Sequence, residues 1–357
     1  MQPIDDLAPW IDLSLVHGLG NKAQRALLTA FGLPSNVFGA TRAQLAPVVG
    51  EPLATAILSR TQRALVELTL RWLEHPGNGA ITLADDDYPK QLLQIPDPPI
   101  LIYVRGDRRL LAAPSLAVVG SRNATPQGLA NAESFARALS DAGLAIASGL
   151  ALGIDAAAHR GGLAGRGSSI AVLGCGADIV YPGANAPLFA QIAAKGAIAT
   201  EFALGTAPLA GNFPRRNRLI SGLARGCLVV EAALASGSLI TARLAAEQGR
   251  EVFAIPGSIH SPLSRGCHAL LKQGAKLVEN AQDVLEELGV VEPAAIDHHT
   301  LGQSDELLQY MGYDPCRIDV LMRRAGLTAD AVSAKLLQLE LEGKVSCLPG
   351  GLYQRLA

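Results

Sequence analysis

The apolar residues of the chain change their spacing from helical to strand-like along the sequence. Up to about residue 75 they recur at intervals of three and four, as in AQRALLTAFG and LATAILSR, which predicts helices throughout. Between residues 100 and 279 they form short continuous runs separated by helical patterns. Strands that are apolar along their whole length and alternate with helices are typical of a mainly parallel sheet covered on both faces. The pattern therefore predicts an α/β fold with a doubly wound sheet.

Eight of these apolar runs are predicted strands: ILIYV (100–104), LAVVG (116–120), LAIAS (144–148), SIAVLG (169–174), AIAT (197–200), CLVVEA (227–232), VFAIPG (252–257) and AKLVE (275–279). The stretch from Gly77 to Pro99 is rich in Gly, Asp and Pro and is predicted to be an irregular lead-in to the sheet. In a doubly wound sheet, ligands bind at the carboxyl ends of the strands. The loops that follow the strands are therefore the places to look for chemistry.

The same patterns divide the chain into four predicted parts. These are a helical domain at residues 1–75, an α/β domain at 76–288, a linker at 289–303 and a winged-helix domain at 304–357. The last part shows a helix, a turn and a second helix, and then a Pro-Gly-Gly hairpin. Thr328 is placed to cap the second helix of that domain.

Both terminal domains carry patterns found in DNA-binding modules. His17-Gly18-Leu19-Gly20 before a helical run is the pattern of a helix-hairpin-helix, whose glycine turn can hold a DNA phosphate. Only Lys22 and Arg25 lie nearby as bases, so a module that packs or mediates contacts is the alternative. Residues 301–357 hold seven acids against six bases, which favours a protein-contact or regulatory role over the reading of duplex DNA.

Composition limits the classes of function. The chain has 357 residues, of which 49% are hydrophobic, so it can hold two or three domains with substantial cores. Its formal net charge of −2 excludes a basic surface over the whole chain, and a nucleic-acid site must be a local patch. The N-terminus carries acids where a signal peptide carries bases, and no apolar run is long enough to span a membrane. These features predict a cytoplasmic protein.

Cysteine and histidine positions give no sign of a metal site or cofactor. The five cysteines are widely scattered, with no CxxC pair, and are predicted to be reduced core thiols. His298 and His299 are adjacent, and adjacent side chains do not share a helix face. We therefore expect no metal and no cofactor.

The loop after the 116–120 strand is the first candidate site. Gly120 lets a ligand approach the backbone, Ser121 adds a hydroxyl, and Arg122 adds a planar charged fork, just before a helix that Pro126 opens. Helix starts present unpaired N–H groups and partial positive charge. The arrangement predicts a phosphate site. The alternative is a capped loop whose arginine faces water.

Two further glycine-rich loops follow the next strands. Gly149 opens one of them, and its helix carries Asp155 and His159 at i and i+4 on one face. Such a pair could be a base and its orienting group or metal ligands, but is more often a hydrogen-bonded pair that fixes a loop. The other loop carries Tyr181 and Asn185, and Tyr181 could stack on a base or only pack over the loop.

The densest basic cluster follows the 197–200 strand. Its amide, aromatic and guanidinium groups are Asn212, Phe213, Arg215, Arg216, Asn217, Arg218 and Arg225. Arginines that hold phosphates beside a ring that stacks an unpaired base suit single-stranded nucleic acid. A solvated helix face is the alternative, but residues 120–226 hold nine bases against five acids, so positive charge is concentrated here.

The loop after the 227–232 strand adds a second phosphate candidate. Ser236, Gly237 and Ser238 precede a helix, with Thr241 one turn into it. Glu231 at the strand end could pair with an arginine, or act as a catalytic acid in an enzyme that cleaves a nucleotide's glycosidic bond.

Five long motifs in this order and spacing resemble the DNA-processing protein A family, DprA, also called Smf. They are GSRNATPQG, SGLALGIDAAAH, LGCGADIVYP, NFPRRNRLISGL and EAALASGSLITARLAAEQGREVFAIPG, and they span roughly residues 80–288. The flanking parts also fit the family, with a helical domain of sterile-alpha-motif or helix-hairpin-helix type in front and a winged helix behind.

The resemblance implies an extended Rossmann-like domain that binds single-stranded DNA and forms a homodimer. It also implies a recombination mediator that protects incoming strands in natural transformation and helps to load the RecA recombinase. The family's Gly-Ser/Thr-Arg motif, associated with DNA phosphates, falls on Gly120, Ser121 and Arg122. The remaining pocket residues implied are Gly149, Asn212, Arg215, Arg216, Arg218 and Ser236 to Ser238.

Two hypotheses of different classes remain at this point. The first is a DNA-binding protein without catalysis, in which Arg122 and the 215–218 arginines clamp phosphates while Phe213 or Tyr181 stacks a base. The second is a nucleotide-processing enzyme resembling the phosphoribohydrolases, which share a Rossmann-like fold. Those enzymes have a Pro-Gly-Gly loop before a catalytic Glu, whereas this chain has LASGSLIT at the corresponding place. A dinucleotide oxidoreductase is less favoured still, since no second glycine follows Gly120 at the required spacing.

Overall fold

A computed structural model describes residues 4–290 and 306–356. The predicted N-terminal helices form as six elements: α1 (Ile4–Ser14), α2 (Asn21–Phe31), α3 (Pro34–Gly39), α4 (Arg42–Val49), α5 (Glu51–Ser59) and α6 (Arg63–Leu73). Amphipathic α2 buries Leu27 completely, as its apolar spacing predicts. None of the helices in these described residues is long and apolar enough to cross a membrane.

A nine-stranded sheet forms the centre of the fold. Its strands are β1 (Asn78–Thr82), β2 (Leu101–Gly106), β3 (Ser115–Val119), β4 (Ala145–Ser148), β5 (Ser169–Val172), β6 (Ala197–Thr200), β7 (Gly226–Val229), β8 (Glu251–Ala254) and β9 (Lys276–Leu277). All eight predicted strands are present. The prediction of an irregular lead-in from Gly77 to Pro99 was wrong in part, because β1 lies there and pairs antiparallel with β2. Its apolar core is only Ala80 and Ile81, too short a run to stand out among glycines.

The strand order places a switch point between β3 and β7. The order is β1-β2-β6-β5-β4-β3-β7-β8-β9, and every pair from β6 to β9 is parallel. From β3 the chain winds outward through β4, β5 and β6, whereas from β7 it winds the opposite way through β8 and β9. Loops at the carboxyl ends of β3 and β7 therefore diverge and leave a crevice, which is where ligands bind in folds of this kind.

Helices cover both faces of the sheet: α7 (Pro126–Asp141), α8 (Ile154–Ala164), α9 (Ala186–Lys195), α10 (Asn212–Leu223), α11 (Ser238–Glu247), α12 (Arg265–Lys272) and α13 (Ala281–Glu287). Leu116 and Val118 of β3 enter the core on one face, and Ala117 and Val119 enter the core on the other. Because successive strand residues point to opposite faces, a strand buried on both sides must be apolar throughout. The Rossmann-like, doubly wound fold class is confirmed.

The N-terminal helices share one hydrophobic core with the β1–β2 edge of the sheet. Trp10, Leu13 and Ile57 pack in the same cluster as Tyr103 of β2. The Trp72 ring meets the Tyr103 ring edge-on, with 6.4 Å between centroids. The helical module is thus held against the sheet by buried apolar contacts, each fully buried large side chain contributing about 1.5–3 kcal/mol.

A winged-helix unit forms the C-terminal part. It contains α14 (Glu306–Met311), β10 (Cys316–Arg317), α15 (Ile318–Ala325), α16 (Ala329–Leu341), β11 (Val345–Leu348) and β12 (Leu352–Arg355). The predicted cap is present, since the Thr328 hydroxyl accepts from the Ala331 N–H at 3.4 Å. Strands β11 and β12 form the predicted Pro-Gly-Gly hairpin. The predicted linker lies outside the described residues from position 291 to its end, and so do His298 and His299.

Candidate nucleic-acid interface

The loop between β3 and α7 is fixed by a carboxylate from the neighbouring strand end. Glu231 Oε2 accepts from the Thr125 N–H at 2.9 Å, and Oε1 accepts from the Thr125 hydroxyl at 2.6 Å. The Thr125 hydroxyl in turn caps α7 by accepting from the Gly128 N–H. Burial raises the pKa of Glu231, and the two Thr125 hydrogen bonds oppose that rise. The loop is thereby held with Arg122 exposed at its tip.

Gly120 is required where this loop leaves β3. A Cβ on Gly120 would lie 2.6 Å from Ile154 Cγ1 and 2.8 Å from the Glu231 carbonyl oxygen. Those distances are below any normal van der Waals contact, so the absence of a side chain lets β3 and α8 meet. Ser121 follows directly, and its N–H donates to the Glu231 carbonyl at 2.7 Å.

The loop after β4 is held by the Asp155–His159 pair. Asp155 Oδ2 accepts from the N–H groups of Gly149 (3.0 Å) and Ala151 (3.3 Å), while His159 Nε2 accepts from Leu150 (3.2 Å). Leu150 adopts a positive φ of 56°, a conformation that costs a non-glycine residue roughly 1–3 kcal/mol. These bonds stabilise the strained turn.

The electrostatics of that pair agree with a structural role. Burial, together with the nearby Arg216 charge, lowers the pKa of His159 to about 3, so the imidazole is neutral at neutral pH. Burial raises the pKa of Asp155, and the Arg216 guanidinium opposes that effect. No group of three or more metal-ligating side chains occurs in residues 4–290 and 306–356. Of the alternatives open at the level of sequence, the loop-fixing pair matches the geometry.

Helix α10 directs its arginines to two different faces. Arg216 points inward, where its Nη1 donates to the carbonyl oxygens of Gly149 (2.6 Å) and Val172. Burial lowers the pKa of Arg216, and Asp155 opposes that effect. The buried guanidinium thus ties the ends of β4 and β5 together and adds positive charge beneath the loops.

Arg215 and Arg218 lie on the other face of α10, away from the crevice. The Arg218 guanidinium contacts the Glu201 carboxylate and lies 3.1 Å from Asp97 Oδ2. Arg215 Nη2 is 3.9 Å from Glu201 Oε1, and the Arg215 guanidinium stacks 5.1 Å from the Phe202 ring centroid. The sequence-based prediction that Arg215, Arg216 and Arg218 share one pocket needs correction here. Arg215 and Arg218 are three residues apart and share a helix face, whereas Arg216 points to a different face.

Phe213 occupies the centre of the crevice. The guanidinium carbons of Arg122 and Arg216 lie 5.8 Å and 5.9 Å from its ring centroid, and the Tyr181 ring is 5.8 Å away at an angle of 31°. Among the described residues, no carboxylate forms an ion pair with Arg122. An exposed guanidinium therefore stands beside two aromatic rings, without an ion pair to any carboxylate in this part of the chain.

Two adjoining spaces open around this group. A groove of about 820 Å³ runs over the carboxyl ends of β3 and β7, and a smaller cavity of about 110 Å³ lies beside it. Both are lined by Arg122, Ala151, Tyr181, Phe213 and Arg216. The groove is large enough for a small ligand or a segment of a chain-like one, and it is partly open to solvent.

The remaining predicted residues fall at different distances from the groove. Ser236, Gly237 and Ser238 line its far wall, where the two serine hydroxyls are 2.7 Å apart. Gly149 lines the smaller cavity. Asn212 begins α10, and its side-chain amide donates to the Ala207 carbonyl at 3.3 Å, whereas Asn217 lines the groove.

Sequence reasoning missed several groove residues. They are Asn123, Pro208, Ala210, Pro214, Ile220, Ala233, Ile240 and Leu263. Most follow β3, β6, β7 or β8, or begin α10, at the carboxyl edge of the sheet. The rule that ligands bind at that edge could have found the loops after β6 and β8, but their small apolar residues carry no chemical signal.

Comparison with known proteins identifies the family. The model of DNA recombination-mediator protein A matches residues 79–289, and the DprA winged-helix model matches residues 292–351. The chain belongs to the DprA/Smf family. Protein Smf of Escherichia coli is 44% identical over 306 residues, which cover 82% of each chain. The DNA processing protein DprA of Streptococcus pneumoniae is 48% identical over 208 residues, covering 58% of this chain and 73% of that one.

Two solved DprA structures are similar to this chain. The Streptococcus pneumoniae protein superposes with a TM-score of 0.70 at 39% identity, covering 78% of this chain and 97% of that one. The Helicobacter pylori protein, described for its single-stranded DNA binding mode, gives a TM-score of 0.54 at 33% identity and covers 58% of this chain and 95% of that one. This chain thus shares its fold with both DprA structures over the covered parts.

Proposed function

We propose that this DprA-family protein binds single-stranded DNA in the groove between β3 and β7. Arg122 holds a phosphate at the groove mouth, and an unstacked base lies against Phe213 or Tyr181. Ser121 and the Ser236 to Ser238 turn supply further donors. The Helicobacter pylori relative, whose description names single-stranded DNA binding, supports this assignment.

The observation that carries the proposal is the placement of Arg122 over Phe213. Guanidinium groups bind phosphates, and aromatic faces stack on any base, so the pair suits a ligand with alternating phosphates and exposed rings. Bases inside a duplex are stacked on their neighbours and offer no free face to Phe213, which favours an unpaired strand over a duplex.

In the cell, this binding supports a role as a recombination mediator in natural transformation. The protein coats and protects an incoming strand in the cytoplasm, acts as a homodimer and helps to load RecA onto the strand. Family membership supports these roles.

We infer that the site works without catalysis. Glu231 would be the acid of a phosphoribohydrolase-like enzyme, but both of its carboxylate oxygens accept hydrogen bonds from Thr125. Its carboxylate therefore serves the loop, and incubation with nucleoside monophosphates should release no free base. Released base that disappears in Glu231→Gln would overturn this part of the proposal.

The test of binding compares a labelled oligothymidylate with a matching duplex at two salt concentrations. We expect the single strand to bind more tightly and its affinity to fall with salt, because each phosphate contact contributes about 0.7 to the slope of log K against log salt. Equal affinity for both substrates would contradict the proposed function.

A further inference from the structure

The carboxylate of Glu201 joins the helical module to α10. Its Oε2 accepts from Asn21 Nδ2 at 2.9 Å and from the Arg218 guanidinium, while Oε1 lies 3.9 Å from Arg215 Nη2. Because Asn21 and Arg215 contact the same carboxylate, the first turn of α2 lies beside the first turn of α10.

Helix α2 carries two bases close to Asn21. Lys22 is exposed, and Arg25 donates to the Pro96 carbonyl at 3.4 Å, next to Asp97, whose carbonyl accepts from Asn21. Asn21 and Arg25 are four residues apart and therefore share the helix face that meets the Rossmann-like domain. Arg25 and the Arg215 guanidinium thus border the same junction, and Lys22 is exposed on α2 next to Asn21.

This junction carries a surplus of positive charge at its surface. Arg218 is the buried cation here, with a side chain only 9% exposed, and it contacts both acids of the junction, Glu201 and Asp97. Arg215, with a side chain 58% exposed, is left with a longer contact of 3.9 Å to Glu201. Arg215, Lys22 and Arg25 together form what we call the basic strip.

The basic strip begins one residue along α10 from the lining of the groove. Pro214, which lines the groove, directly precedes Arg215 along α10. Pro208 and Ala210 of the loop before α10 also line the groove. Arg215 therefore lies one residue from the groove lining on the outer face of α10, and α2 lies across Glu201 from it.

The strip also has a fixed geometry. The helical module shares its core with β2, so Lys22 and Arg25 keep their position relative to Arg215 without help from a ligand. A preformed row of cations binds an extended polyanion without a large ordering cost on the protein side.

We propose that the basic strip is a second phosphate-binding surface, which carries the unpaired DNA strand out of the groove and across the helical module. This inference rests on the proposed function of the groove. It gives the N-terminal helices a direct part in binding, as an extension of the site rather than as a separate DNA-binding module.

The test compares the full-length double variant Lys22→Ser/Arg25→Ser with wild type on two oligothymidylates. One has about 5 nucleotides, enough for the groove, and the other about 20, enough for groove and strip, since sites of this kind span roughly 4–16 nucleotides. The matched control is Arg63→Ser/Arg71→Ser, which removes the same charge from α6, the helix that packs on the β1 edge.

We expect the double variant to bind the long strand several-fold more weakly than the control, with a salt slope lower by about 1.4 for two lost contacts. The short strand should bind equally to wild type and both variants. Identical affinity of variant and control for the long strand would overturn the proposed role of the basic strip. An equal loss of affinity for the short strand would also overturn it. If wild type binds the short strand no better than Arg122→Ala does, the proposed function of the groove is contradicted instead.

Discussion

The Arg122 guanidinium carbon lies 5.8 Å from the centroid of the Phe213 ring, although the two residues are far apart in the sequence. Arg122 follows β3, and Phe213 lies in the first turn of α10, which precedes β7. Since α10 packs against β3, the fold brings a phosphate-binding group and a stacking surface to one place. The expected outcomes below depend on that pairing.

Removal of the ring should weaken binding without loss of the fold. Phe213→Ala removes a stacking surface worth about 1–3 kcal/mol per base, which corresponds to roughly 5- to 150-fold in affinity for a single strand. Phe213→Tyr keeps the ring face and serves as the matched control, with near wild-type affinity expected. Fluorescence anisotropy on a labelled oligothymidylate measures both. Equal weakening by Ala and Tyr would argue against stacking.

Gly120→Ala should destabilise the protein, whereas Gly237→Ala should not. The added Cβ at Gly120 meets Ile154 and the Glu231 carbonyl, and such overpacking typically costs about 1–3 kcal/mol. Gly237 has no heavy atom within 4 Å of the added Cβ and an ordinary φ of −62°, although it lines the same groove. Urea unfolding followed by circular dichroism distinguishes the two. A stable Gly120→Ala protein would show that the β3–α8 contact is looser than described.

The free energy of unfolding should decrease as the pH is lowered, because His159 takes up a proton only in the unfolded state. Its folded pKa is about 3, below the value of about 6.5 expected in the unfolded chain, so only the unfolded state takes up a proton between these values. The contribution of His159 is complete above about pH 6.5 and is lost as the pH falls, by about 2 kcal/mol at pH 5.

The matched variant for this titration is His159→Gln, which cannot take up a proton. We expect its free energy of unfolding to be lower than that of wild type at pH 7 but to change less between pH 7 and pH 5. Urea unfolding at several pH values gives both slopes. Identical slopes for the two proteins would contradict a buried, neutral His159.

Most of the fold could be predicted because its signals are local. The apolar run Leu116–Val119 predicts a doubly buried strand, and Thr125 before Pro126 marks the start of α7, where the Thr125 hydroxyl does accept from the Gly128 N–H. Strand β1 escaped prediction because Ala80 and Ile81 give too short a run, and its pairing with β2 is decided by a distant partner.

The site was predictable only in part, because the direction of a helical side chain depends on which face meets the sheet. Arg215 and Arg216 are neighbours in sequence, yet one is exposed beside Glu201 and the other is buried against Gly149. No local signal separates them. The tertiary packing of α10, which buries Leu219 and Ile220 against the sheet, makes that choice.

The most direct test of the account is the affinity of Arg122→Ala for an oligothymidylate, measured by fluorescence anisotropy over a range of salt concentrations. Arg109→Ala is the matched control, since Arg109 is 86% exposed and pairs with Asp107 away from the groove. We expect Arg122→Ala to bind markedly more weakly, with a salt slope lower by about 0.7, the value of one phosphate contact. If Arg122→Ala kept the wild-type affinity and the wild-type salt slope, the proposal that this groove binds the DNA backbone would be contradicted.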